Sequence, residues 1–119
     1  MKIGIADSQG RVRFSLRVLL EQQPGWMIVG EAADEHELFE LLRDDPPDLL
    51  LIDYDLPDMP VKHLLRLLQV QNPEIQIIMM SGKQELCEAA IMAGADAFAC
   101  KTESAEKLLN LICELEQRS

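Results

Sequence analysis

Residues 47–60 read Pro-Asp-Leu-Leu-Leu-Ile-Asp-Tyr-Asp-Leu-Pro-Asp-Met-Pro. Leu49 to Ile52 is apolar without alternation, as a strand buried on both faces of a parallel sheet requires. The pattern predicts a strand over 48–52 that ends at the carboxylate of Asp53. A helical stripe follows at Val61, Leu64, Leu65 and Leu68. The same unit recurs on both sides. Upstream, Lys2 to Ala6 reads as a short strand ending at Asp7. Val12, Leu16, Leu19 and Leu20 then set a helix over 11–22, with Arg11, Arg13 and Arg17 outside its stripe. Pro24-Gly25 stops it, and Trp26 to Val29 reads as an outer strand running into Gly30-Glu31-Ala32-Ala33. Asp34 with Glu37 resembles a capping box for a helix reaching about Arg43, which Pro46-Pro47 breaks. Downstream, Ile75 to Met80 is a strand ending at Ser81, followed by Leu86, Ala89, Ala90 and Ala93. Asp96 to Cys100 is a last strand ending at Lys101, and Leu108, Leu111, Ile112 and Leu115 mark a closing amphipathic helix. Five strand–helix pairs predict an α/β sandwich on a parallel sheet, in one domain over 1–119 with no linker and no output domain.

Composition sets the class. The 119 residues are 48% hydrophobic and 27% charged, which suits one globular core and excludes disorder. No apolar run approaches the about 20 residues of a membrane span, and the first residues do not form a signal peptide. Net charge is −10, so the surface repels phosphate backbones and direct nucleic-acid binding is not expected. Cys87, Cys100 and Cys113 form no CxxC pair; reduced thiols in a cytoplasmic protein, used as small buried hydrophobes, are expected. The strand methionines Met27, Met79 and Met80 read as core. His36 and His63 read as surface residues, and Asp44-Asp45 as a solvated helix end.

In an open parallel sheet, function collects in the crevice at the carboxyl ends of the strands. Those ends carry Asp7 with Ser8, Asp53 with Asp55, Ser81, and Lys101. Singly, each has a plainer use as a turn residue, a cap or a solvated charge. Together they make a carboxylate cluster with one hydroxyl and one ammonium, a set suited to a hard divalent cation and a phosphoryl group.

These residues, with Ile5–Gln9, Pro24–Asp34, Pro47–Pro60, Ile77–Gly82 and Ala93–Thr102 around them, carry a resemblance. The chain resembles, over essentially its whole length, the receiver domain of bacterial two-component response regulators, nearest the subfamily with a C-terminal helix-turn-helix. The resemblance implies a five-stranded parallel sheet of order 2-1-3-4-5 in a flavodoxin-like three-layer sandwich. It implies that Asp53 accepts a phosphoryl group from a histidine kinase. Mg²⁺ would be held by Asp7, Asp53 and the backbone carbonyl of Asp55. Ser81 matches the switch hydroxyl, Lys101 the phosphate-pairing lysine, Phe98 the aromatic switch position, and Gly82 the small residue that leaves the acceptor accessible. It further implies a phosphorylation-controlled output, most simply transcription, with an output domain or effector and a homodimer as open partners. No small-molecule substrate beyond phosphodonors is implied. A receiver is a switch rather than a conventional enzyme, limited to its own phosphorylation and dephosphorylation.

This sequence departs from the pattern at the second acidic position, which is Ser8, and in the loop after the acceptor, where Asp58 and Val61 replace glycines. A neutral hydroxyl removes charge where the cation needs it. Two readings follow: a phosphoacceptor switch, favoured by Asp53, Ser81 and Lys101, and a pseudo-receiver acting as a constitutive interaction module, favoured by Ser8. A flavin or nucleotide binder on the same architecture lacks its Gly-rich loop, since Asp7-Ser8-Gln9-Gly10 holds one glycine.

Overall fold

Leu49–Asp53 (β3) is buried at every position, and the rest of the chain is layered around it. The computed structural model describes residues 1–56 and 58–118; Pro57, from the Leu-Pro pair after the acceptor position, and Ser119 lie outside the described residues. In chain order the elements are β1 (Lys2–Ala6), α1 (Gly10–Glu21), β2 (Met27–Ala32), α2 (Glu35–Asp44), β3, α3 (Val61–Gln71), β4 (Gln76–Ser81), a 3-10 turn (Gln84–Leu86), α4 (Cys87–Ala93), β5 (Ala97–Cys100) and α5 (Ala105–Arg118). The sheet is parallel throughout, in the order β2-β1-β3-β4-β5. The fold class read from the sequence therefore stands.

Alternate residues of the strands feed opposite cores, as the two-residue period dictates. Ile3, Ile5, Leu49, Leu51, Ile78 and Met80 pack against Leu20 of α1 and Ile112 and Leu115 of α5. Leu50, Ile52, Ile77 and Met79 pack against Leu38 and Leu42 of α2, Leu64, Leu65 and Leu68 of α3, and Ala90 of α4. The Asp34 side chain caps α2 by accepting from Glu37 N at 2.8 Å, while Glu37 Oε1 accepts from Ala33 N at 2.7 Å. The reciprocal bond thus lands one residue before the N-cap.

Four expectations need correction. Met27 is 59% exposed, because it opens β2, an edge strand. Cys113 is exposed and Cys87 half-buried, leaving Cys100 as the buried thiol. Ala89 is exposed, because α4 has only seven residues and turns Ala90 to the core instead. Strand β2 also runs on to Ala32, beyond the expected Val29.

The β1–β2 register shifts between Ile3 and Gly4: Ile3 faces Ile28, but Gly4 faces Gly30. Leu41 of α2 fills the slot over this glycine pair. A Cβ on Gly30 would stand 2.8 Å from Leu41 Cδ1 and 2.9 Å from its Cγ. On Gly4 it would meet Leu50 Cδ2 at 2.9 Å and Leu41 Cδ2 at 3.4 Å. The shift is an edge-strand bulge, and beyond it Glu31 lies opposite Ile5. Gly30→Ala is expected to cost about 1–3 kcal/mol in urea unfolding by overpacking, and distinctly less in a Leu41→Ala background. Equal costs in both backgrounds would refute this packing.

Candidate functional site

Among the described residues, the buried polar or charged side chains are Asp7, Asp53 and Ser81, at 0%, 7% and 3% exposure. All three stand at the carboxyl edge of the sheet. Each neighbouring ladder continues one step past its strand: Asp7 N donates to Ala32 O at 3.0 Å, Tyr54 N to Met80 O at 2.8 Å, and Lys101 N to Ser81 O at 2.8 Å. The functional side chains therefore sit on paired backbone, not on free loops.

Lys101 joins the two carboxylates. From the end of β5 its side chain crosses the end of β4, and Nζ lies 2.8 Å from Asp7 Oδ2 and 3.1 Å from Asp53 Oδ1. Those two oxygens are thus within about 6 Å of each other. Burial pulls the Lys101 ammonium down, but hydrogen bonds and attraction to Asp7 and Asp53 outweigh it, so its pKa stands above the ordinary 10.5. The other Asp7 oxygen, Oδ1, accepts from Gln9 N at 2.9 Å. Ser81 Oγ accepts from Lys83 N at 3.1 Å, at the start of the loop leaving β4.

Asp53 opens a turn closed by Leu56 N donating to Asp53 O at 3.0 Å, and Asp55 lies exposed on it. Ser8 is exposed beside Asp7. Phe98 is half-buried on β5 and packs against the α2–α4 core. Gly82 is open: a Cβ there meets nothing within 4 Å. Of the expected site residues, the structure thus brings Asp7, Asp53 and Lys101 into contact, sets Ser81 on the adjacent strand end, and leaves Ser8 and Asp55 at the solvent edge.

The site uses residues the sequence reading did not select. Arg13, taken as lying outside its helix stripe, donates from Nη1 to Asp7 O at 2.7 Å and from Nε to Glu31 Oε1 at 3.2 Å. Glu35 Oε1 accepts from the backbone amides of Asp58 and Met59, the latter at 3.1 Å, tying the loop after Asp53 to the start of α2. The Arg13–Glu31 and Glu35–Met59 contacts have no local sequence signal, because the partners are 18 and 24 residues apart.

Two buried carboxylates with a nearby backbone turn are a donor set that Mg²⁺ accepts, since that ion takes one or two protein carboxylates and keeps several waters. Both carboxylates also retain lone pairs beyond the bonds they accept. The set is sparse: among the described residues, no group of three or more His, Cys, Asp or Glu is gathered as a metal site.

The model of the response regulator receiver domain matches residues 3–113. The chain belongs to the receiver-domain family. It is 34% identical over 111 residues to the transcriptional regulatory protein YhcZ of Bacillus subtilis, covering 92% of this chain and 52% of that protein. It is 31% identical over 110 residues to the fimbriae Z protein of Salmonella typhimurium, covering 91% and 52%. This receiver thus spans about half the length of the curated relatives it matches. Among solved structures, a LuxR-family response regulator from Aurantimonas sp. SI85-9A1 superposes with a TM-score of 0.86 at 28% identity, over 96% of this chain and 83% of that one. RcsB of Salmonella enterica serovar Typhimurium, solved on a promoter with a phosphomimetic, shares the fold at a TM-score of 0.88 and 22% identity, over 98% and 60%. No helix among the receiver's described residues is long and apolar enough to cross a membrane.

Lys101 supplies stability with a defined pH limit. Its pKa is raised on folding, so the contribution is full below about 10.5 and is lost as pH rises through the folded value. Lys101→Met, which leaves two buried carboxylates unpaired, is expected to cost on the order of 1–3 kcal/mol at neutral pH. In chemical denaturation the gap from wild type should stay flat up to about pH 10 and close above it. A gap that widens above pH 10 would contradict the assignment.

Proposed function

We propose that this receiver is a phosphoacceptor switch in which Asp53 takes a phosphoryl group from the phosphohistidine of a histidine kinase. The observation that supports it most directly is the confinement, among the described residues, of buried polar side chains to Asp7, Asp53 and Ser81, two of them bridged by Lys101. Burying carboxylates is costly, and a fold concentrates that cost where chemistry uses it. An Asp53 carboxylate oxygen attacks phosphorus; the P–N bond breaks and its electron pair returns to the imidazole, leaving an acyl phosphate. Mg²⁺, held by Asp7, Asp53 and the Asp55 carbonyl, would neutralise phosphoryl oxygens.

The chain's own groups do the rest. Lys101 already points at Asp53 and can pair with a phosphoryl oxygen without leaving the crevice. Ser81 Oγ, on the next strand end, offers an O–H donor once a phosphoryl oxygen arrives, drawing in the loop that starts at Lys83. Phe98, on β5 beside β4, is the packing element that such a loop movement would bias. The protein is thus a switch whose only chemistry is its own phosphorylation and hydrolysis. Its output, by analogy with transcriptional relatives of twice its length, is control of transcription through a further domain or effector.

A pseudo-receiver is the second reading, and Ser8 is the observation that favours it. Acetyl phosphate with and without Mg²⁺, read by intact mass, separates the two. One Mg²⁺-dependent phosphoryl adduct, absent in Asp53→Asn, is expected; no adduct, or one that survives in Asp53→Asn, would overturn the phosphoacceptor reading. Ser8→Asp should tighten Mg²⁺ by roughly tenfold to a hundredfold, because it restores a carboxylate beside Asp7. Calorimetry showing equal affinity would mean that Ser8 does not limit the site.

A further inference from the structure

Asp7 is held at both ends. Lys101 takes its carboxylate, and Nη1 of Arg13 grips its main-chain carbonyl at 2.7 Å. The Arg13 guanidinium also reaches Glu31 Oε1 at 3.2 Å, and Arg17 Nε holds the other Glu31 oxygen at 2.5 Å. Glu31 is itself fixed on β2, in register with Ile5. The Arg13 and Glu31 side chains are 22% and 27% exposed, and a Cβ on Gly10 would stand 3.4 Å from Arg13 Nη2. The guanidinium therefore lies along the β1–α1 loop and joins it to the edge strand. A planar fork that meets a carbonyl and a carboxylate at once is a geometry lysine does not reproduce.

We propose that Arg13, braced by Glu31, is a positioning residue that holds Asp7 in the geometry needed to bind the cation. The inference rests on the metal-assisted phosphoacceptor reading. Ser8 leaves Asp7 as the one acid of this loop, so the site's affinity depends on how well that single carboxylate is preorganised. The charge of Arg13 acts in the opposite direction, since a cation nearby repels Mg²⁺. Positioning and charge therefore give opposite signs when the guanidinium is removed, and Glu31 offsets the charge while keeping the grip.

Arg13→Met, Arg13→Lys and Glu31→Gln are compared with wild type in two measurements. One is Mg²⁺ affinity by calorimetry. The other is hydrogen exchange, in metal-free protein, of the Gln9 amide that donates to Asp7 Oδ1. Arg13→Met should weaken Mg²⁺ by about three- to tenfold and speed Gln9 exchange by a similar factor. Arg13→Lys, which keeps charge but not the fork, should behave alike and guards against a folding defect in the methionine variant. Glu31→Gln should lose less, and should add little on top of Arg13→Met. Unchanged or tighter Mg²⁺ binding in both Arg13 variants overturns the proposal. A wild type that binds no Mg²⁺ would overturn the phosphoacceptor reading itself. Gln9 exchange then decides the positioning of Asp7 alone: faster in Arg13→Met if it holds, unchanged if it does not.

Discussion

Two carboxylates buried side by side are unstable unless a cation meets them, and Lys101 is the cation that meets Asp7 and Asp53. The sheet order makes this contact available. Asp7 follows β1 and Asp53 ends β3, the central strand paired with it, while Lys101 follows β5, at the far edge beyond β4. Only a long flexible side chain laid across the end of β4 closes that distance. The crevice is therefore preassembled, with its anions already desolvated and its one ammonium already in place. In the proposed phosphoacceptor reaction a phosphoryl group would meet fixed charges there and need little reorganisation.

The surrounding structure serves that edge. The ladders extend one residue past β1, β3 and β5, so that Asp7, Tyr54 and Lys101 start from hydrogen-bonded backbone. Glu35 ties the loop after Asp53 to α2, and Arg13 with Glu31 ties the loop after β1 to β2. Both ties are carboxylate-centred and join neighbouring units of the fold. On the opposite side of Asp53, Ser81 and Phe98 stand on β4 and β5, where a change in the β4 exit loop can be felt by packed side chains.

Much of this was legible from the chain. The unbroken run Leu49 to Ile52 announced a central strand, and the polar residue ending each run marked the crevice. What remained hidden depended on pairs far apart in sequence. The Arg13–Glu31 and Glu35–Met59 contacts leave no local pattern, and a helix stripe assigns Arg13 only to the outside. Met27 is a different case: its strand reads as an outer one, yet the methionine reads as core, because strand membership alone does not say which side chains an edge strand leaves in solvent. The glycine slot under Leu41 required the bulge between Ile3 and Gly4, which follows from register and not from composition. Ser8 is the converse case, plain in the sequence, and the structure adds that it is exposed while Asp7 is fully buried.

That asymmetry leaves a lean charge balance: two carboxylates, one ammonium on both of them, and a guanidinium on the adjoining loop. In the proposed switch Lys101 and a bound Mg²⁺ would draw on the same two carboxylates, so the lysine that stabilises the crevice would oppose the cation. Comparing Mg²⁺ titrations of wild type and Lys101→Met by amide chemical shifts tests this directly. The expected result is severalfold tighter Mg²⁺ binding in Lys101→Met, with the largest shifts at Asp7, Gln9 and the turn after Asp53. Equal or weaker binding in the variant, with the fold intact, would contradict it.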